Sequence, residues 1–251
     1  MKILFKWVLR LCLLLMVLAV GELLLLRYPG AFFNWSATAG GLTICSDRPF
    51  AQEDAEKVAE MVRQRVHASP LYTKGRHDGA YICNSRWRRM VFFIGCYHAG
   101  GLNYAPMTSN VFLSGGKMDE NRLISPAGTV VQGEMTLAYY IAHEIGHSLT
   151  MEHFGFWCYW RAPSWLREAY ADRIARGSVF NRPEARAAYL AEAKEMNWPA
   201  VAPYLRYNIL LGQLIENEGR SLDEVFRSRI SQEEAERHLR RFLSQENPAS
   251  P

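Results

Sequence analysis

The chain lacks several things that would have settled its class at once. Across 251 residues it has no C-x-x-C pair, no internal repeat and no stripe that interleaves basic with aromatic residues. The missing cysteine pair argues against a metal site built on thiolates. Without a repeat, solenoids and arrays are excluded. Without the basic-aromatic stripe there is no footprint for nucleic acid, and no nucleic-acid partner is expected. Excess charge is also scarce. The net charge is +4, and Lys2, Lys6, Arg10 and Arg27 against Glu22 account for three of those charges, leaving about one for everything after Arg27. With 49% apolar and aromatic residues, the composition suits one globular domain with a proper core, or one plus a small appendage.

The long apolar run is at the N-terminus. "MKILFKWVLR" is basic and apolar, and Leu11 to Leu26 follows with Glu22 as its only charge. Extended back over Trp7-Val8-Leu9, the run reaches the roughly 20 residues that a bilayer span needs. Lys2, Lys6 and Arg10 precede it and only Arg27 follows closely, so the positive-inside rule keeps the N-terminus cytoplasmic and exports the rest. The nearest small-x-small cleavage pattern, Ala37-Thr38-Ala39, lies far past the run, which favours an uncleaved signal anchor over a removed signal peptide. Cys12 falls inside the run. Cys45, Cys83, Cys96 and Cys158 lie outside it, and free buried thiols and one or two disulfides both remain open.

These features divide the chain into an anchor over 1–27, a linker over 28–41, a main domain over 42–245 and a frayed polar tail over 246–251. "LTICS" reads as a strand and "AQEDAEKVAEMVRQRVHASP" as a helix, with Ala55, Val58, Ala59, Val62 and Val66 on one face and Pro70 as the stop. "AYIC", "MVFFIG" and "NVFLS" are short apolar runs separated by turn residues and read as strands of a small sheet. Helices are predicted at about 134–151, 164–176, 184–196, 203–218 and 231–244, punctuated by Gly177, Pro183, Pro199 and Gly219. The expected class is α+β, with a small mixed sheet in the N-terminal half and a helical C-terminal half, preceded by one transmembrane helix.

At the junction stands His143-Glu144-Ile145-Gly146-His147, an H-E-x-x-H pattern. On a helix, residues i and i+4 share a face, so His143 and His147 can aim two imidazoles at one point, with the Glu144 carboxylate at its border. Two neutral imidazoles suit zinc, and a carboxylate nearby can take a proton from a metal-bound water. Leu137, Tyr140, Ile141, Ala142, Ile145 and Leu149 surround the pair, and polar side chains on so apolar a helix need partners. A hydrogen-bonded histidine pair in the core is the bland alternative.

Two residues compete to be the third ligand. His153 stands where the last histidine of H-E-x-x-H-x-x-G-x-x-H would be, but Thr150 occupies the glycine position and no Met-turn is recognisable. Glu168 belongs to "PSWLREAYADRIARG", a helix opened by Pro163-Ser164 and closed by Gly177. It would complete a His₂Glu set, and Asp172, one turn on, could accept the N–H of a ligand imidazole and fix its direction. The bland reading of Glu168 and Asp172 is a solvated acidic face or pairing with Arg167 or Arg173.

H-E-x-x-H followed after about twenty residues by "WLREAYAD" resembles the gluzincin metallopeptidases, the thermolysin- and aminopeptidase-like group. Its W-x-x-E-x-x-A-D form is similar to their second motif, and the likeness covers roughly 110–219. "ICSDRPF" and "SPLY" are also similar to stretches of membrane-anchored bacterial proteins that carry such a motif. The resemblance implies a zincin-like active-site helix, zinc on His143, His147 and Glu168, Glu144 as catalytic base and Asp172 as supporting acid. It further implies a cleft-lining strand, for which "NVFLS" is the counterpart, and a peptide or protein substrate. No GAMEN-like exopeptidase signature is present. Tyr204 and Tyr207, on a later helix, are candidate donors to the transition state. A catalytically inactive zincin-like module that captures peptides or envelope components is the alternative to an enzyme.

Overall fold

A computed structural model describes residues 2–199 and 203–246. The fold is α+β, with a small mixed sheet and a predominantly helical C-terminal half. Helix α1 spans Lys2–Arg27. At 1.5 Å per residue it is about 39 Å long, more than the hydrocarbon thickness of a bilayer. The stretch Leu4–Arg27 is long and apolar enough to cross a membrane, and none of its most apolar window is buried. Its last turn is rooted in the domain. Leu26 is buried against Phe33, Phe92 and Phe112, and the Asn110 amide donates to the Leu26 and Arg27 carbonyls at 2.8 and 3.2 Å.

The expected linker is largely structured. After a 3-10 turn at Pro29–Phe32, strand β1 (Trp35–Ala39) pairs antiparallel with β2 (Leu42–Ser46) across the Gly40-Gly41 turn, both glycines at positive φ. Strands β3 (Asp78–Ile82), β4 (Gly101–Asn103) and β5 (Val111–Leu113) complete a sheet of order β1-β2-β3-β5-β4. The β2–β3 and β3–β5 pairs are parallel, and β4 returns antiparallel on the edge. Ile44, Ile82, Val111 and Leu113 face the main core, whereas Cys45, Tyr81 and Phe112 face the opposite side. Successive side chains of a strand point to opposite faces, and both faces here are covered, so these strands read as unbroken apolar runs.

Helix α2 (Gln52–His67) covers the first face with the five apolar residues expected from its periodicity, all buried. On the other face lies α3 (Arg86–Phe92), where "MVFFIG" reads as a strand by sequence alone. The correction has a non-local cause. Asp47 accepts hydrogen bonds from the Asn84 and Ser85 amides, both at 2.8 Å, and so places a carboxylate at the helix start. Phe92 and Phe93 then pack on the sheet. Cys45 and Cys83 are free thiols in that same apolar layer, and burial pushes the Cys45 thiol up to about 11. Cys96 and Cys158 are free as well. A short hairpin, β6 (Gly116–Lys117) with β7 (Arg122–Leu123), leads to the helical half.

There, α4 (Leu137–Arg161) begins at Thr136, whose hydroxyl accepts from the Tyr139 amide. It is not one straight helix: Gly155, at φ 76° and ψ 161°, breaks it, and the last turns run off in a new direction. Helix α5 (Ser164–Arg176) keeps the predicted bounds. Next come α6 (Pro183–Leu190), shorter than predicted, and α7 (Tyr204–Gly212), which runs into a π turn at Gln213–Asn217. Helix α8 (Leu222–Ser228) was not foreseen, and α9 (Gln232–Glu246) closes the fold. The expected frayed tail lies outside the described residues beyond Glu246.

The contact that positions everything else is between α4 and α5. A Cβ built on Gly146 would lie 3.0 Å from the Ala171 Cα and 3.2 Å from the Ile174 Cδ1. Gly146 thus lets the two helices approach at van der Waals distance. A Gly146→Val substitution should push them apart and cost about 1–3 kcal/mol, as overpacking does. A lowered thermal midpoint together with reduced metal content would register this; a variant as stable as the parent would refute it.

Candidate metal centre

Helix α4 presents His143 and His147 one turn apart, their rings 4.9 Å apart and nearly perpendicular. Helix α5 brings Glu168 to them. Its Oε2 lies 3.1 Å from the His143 Nε2 and 3.6 Å from the His147 Nε2, and the three potential ligand atoms all fall within 4.8 Å of one another. Ligands at roughly 2.0–2.1 Å around a tetrahedral ion stand about 3.4 Å apart, so this spacing fits a single metal ion. The group could therefore hold one. His143 is 3% exposed, and its Nδ1 is buried without a hydrogen-bond partner. The His147 Nδ1 lies 3.1 Å from the Tyr159 hydroxyl, which orients that ring.

The electrostatics of these protein groups are coupled. Burial alone would raise the Glu168 carboxyl, but His147 and His143 outweigh it and hold that group well below the usual carboxylate range. Burial alone would lower His147, yet Glu168 and Glu144 raise it. Glu144 is raised, first by burial and also by Glu168, with the two histidines opposing. Its carboxylate occupies space left by the edge strand, since a Cβ on Gly101 would lie 2.7 Å from the Glu144 Oε1.

These groups open onto a cavity of about 240 Å³ lined by Gly101, Leu102 and Asn103 of β4, by His143, Glu144, His147 and Glu168, and by Tyr159, Trp160, Arg167 and Tyr204. A larger cavity of about 720 Å³ lies at the ends of α2 and α5, lined in part by Arg65, Arg173 and Arg176. None of the three ligand residues lines it, and those arginines occupy the last turns of α2 and α5, where cations complement the helix dipole.

Several expectations need correction. His153 is not at the site: it lies near the surface, with its Nε2 3.2 Å from the Asp223 carboxylate. Thr150 keeps the helix going, its hydroxyl donating to the Gly146 carbonyl at 2.7 Å, so the chain does not turn back there. Asp172 is fully buried, but its partners are the Tyr139 hydroxyl, the Arg176 Nε at 2.9 Å and the Asn208 amide at 2.8 Å rather than an imidazole. Tyr139, one turn before His143, takes the carboxylate instead, and its ring lies 5.9 Å from the His143 ring. "NVFLS" forms β5, paired on both sides within the sheet, and the strand lining the cavity is β4.

Of the two tyrosines considered, Tyr204 lines the cavity with its ring 4.8 Å from His143, whereas Tyr207 packs against Trp165. Arg167 and Gly101 at the cavity wall, and the contact of Tyr159 with His147, were not foreseen. Tyr159 lies past the break at Gly155, and three residues of β4 carry no periodic signal.

The chain matches no family model, no curated protein and no solved structure.

A proton balance follows from the coupled groups. Glu168 is depressed, so its stabilising contribution is present above its ordinary pKa and is lost as pH falls through the folded value. His147 is raised, so its contribution is present below its ordinary pKa and is lost as pH rises through the folded value. The metal-free pair is thus at its strongest in mildly acidic solution, where a metal must displace the His147 proton. Metal uptake near pH 6.5 should release protons, as calorimetry in buffers of different ionisation enthalpy measures. The gap in thermal midpoint between metal-loaded and stripped protein should narrow from pH 7.5 to pH 5. A gap that widens would contradict this coupling.

Proposed function

We propose that this protein is a membrane-anchored, zinc-dependent metallohydrolase, a gluzincin-like peptidase with its catalytic domain on the extracytoplasmic side. The observation that carries the reading is the placement of Glu144. A second, buried carboxylate lines the same open cavity as a three-ligand His₂Glu group. Structural zinc sites use four protein ligands and stay closed, whereas catalytic ones keep a position open. The charge pattern around α1, with Lys2, Lys6 and Arg10 before the apolar run, supports the orientation.

His143, His147 and Glu168 would hold the zinc. When bound, it supplies Lewis acidity and a water whose pKa is lowered toward neutrality. Every other task falls to the chain itself. Glu144, raised by burial, is suited to accept a proton and to deliver it to the leaving amine. The Tyr204 hydroxyl, also raised by burial and by the nearby carboxylates, keeps its proton and can donate a hydrogen bond to the oxygen that gains charge.

The edge strand supplies a place for an extended substrate. The Ser114 amide donates to the Gly100 carbonyl, so Gly101 and Asn103 turn their backbone groups away from β5. An extended peptide can pair with that free edge. Asp172 acts at a distance by fixing Tyr139, against which His143 packs, and Asn208 of the helix that carries Tyr204.

The alternative is a catalytically inactive binding module with the same metal site. The full chain, purified in detergent and loaded with zinc, should cleave members of a peptide library, and a chelator should stop it. Glu144→Gln should keep one zinc per chain and lose activity by on the order of 10³-fold. Tyr204→Phe should also keep its zinc and lose about 10²-fold in kcat. Zinc bound at one per chain with no cleavage would favour the binding module. Full turnover by Glu144→Gln would remove the proposed mechanism.

A further inference from the structure

Arg167 is the only arginine or lysine among the described residues that line the metal cavity. No carboxylate lies within salt-bridge distance of it among the described residues. The two acidic groups of the cavity are engaged elsewhere, Glu168 with the imidazoles and Glu144 in the space beside Gly101. What holds the guanidinium is aromatic. It lies 4.7 Å from the Trp160 ring centroid and 5.1 Å from that of Tyr159, beside the Tyr159 hydroxyl. Its Nε is buried and has no hydrogen-bond partner.

The side chain as a whole is half-buried, and an N–H held out of water without a partner is costly to maintain. The rest of this half-buried side chain lines the cavity, where its charge can meet an acceptor that a ligand brings. The planar fork of arginine matches a carboxylate with two parallel hydrogen bonds. Contact with two nearly perpendicular rings confines the guanidinium beforehand, so less side-chain freedom is left to lose on binding.

We infer that Arg167 is the recognition point for a carboxylate on the ligand that occupies the metal cavity. The inference deepens the peptidase reading, on which it rests, by naming a substrate class: peptides with an acidic side chain or a free C-terminus near the bond held at the metal. Both sources present the same group to the same fork.

The test uses one hexapeptide library made in four matched versions, with Glu or Gln at a chosen position and with a free or amidated C-terminus. Cleavage is measured with the full zinc-loaded chain and with Arg167→Lys and Arg167→Gln. Binding is measured with the Glu144→Gln chain, alone and combined with Arg167→Gln, and zinc content is determined for each variant.

The parent should favour the carboxylate member of a pair by on the order of 10- to 100-fold, the range that charge-assisted hydrogen bonds supply. The pair that shows the preference identifies the source. Arg167→Gln should bring the ratio toward one, and Arg167→Lys should keep part of it. Three results overturn the inference: no preference in the parent, a loss in Arg167→Gln equal for both members of each pair, or no library member bound or cleaved. An equal loss is the mark of a purely structural role in holding Tyr159. Carboxylate-selective binding that depends on Arg167 but occurs without cleavage ends the peptidase reading and leaves the recognition role standing.

Discussion

The close approach of α4 and α5 at Gly146 is the constraint on which the rest of the molecule depends. A glycine at that position brings the Ala171 backbone against the motif helix. Glu168 lies one turn before Ala171, and this approach places its carboxylate between two imidazoles. Any larger side chain at the second variable position of the motif, Gly146, would widen the gap and separate the ligands. The motif therefore specifies the packing of two helices as well as the identity of two side chains.

Around that contact the polar groups form a connected frame. Asp172 binds Tyr139 of α4, Arg176 of its own helix and Asn208 of α7, so one buried carboxylate ties three helices together. Arg176 extends the frame to Glu134 at 3.0 Å, ahead of the motif helix. Removing one partner of the buried Asp172–Arg176 pair leaves the other uncompensated, at a cost of about 3–5 kcal/mol. The three potential ligand residues stand on α4 and α5 beside this frame. Strand β4, the aromatic turns after Gly155 and Tyr204 of α7 line the rest of the cavity.

How much of this was legible in the sequence depended on whether the cause was local. The face of α2 and the bounds of α5 follow from periodicity and from Pro163, Ser164 and Gly177 at the helix ends. The convergence of His143, His147 and Glu168 could be anticipated because each helix shows its polar residues at i, i+4 spacing. Helix α3 was misread because its start depends on Asp47, a residue brought from another loop. Strands β1 and β4 are short and gain their form from pairing, which no pattern within five or three residues announces. The partner of Asp172 was missed for a different reason: spacing identified the face it occupies but not that Tyr139 would reach it first.

The root of α1 has a consequence of its own. Leu26 is set in the same apolar layer as Phe33, Phe92 and Phe112, and Asn110 grips the last carbonyls of the helix. Between the apolar helix and the first sheet strand there is no slack tether. For a chain held in a bilayer by α1, the cavity then has a set elevation above the lipid surface and a set bearing around the helix axis. Which molecules reach it becomes a question of their height over the membrane as much as of their chemistry, so the anchor would act as a gauge as well as a leash.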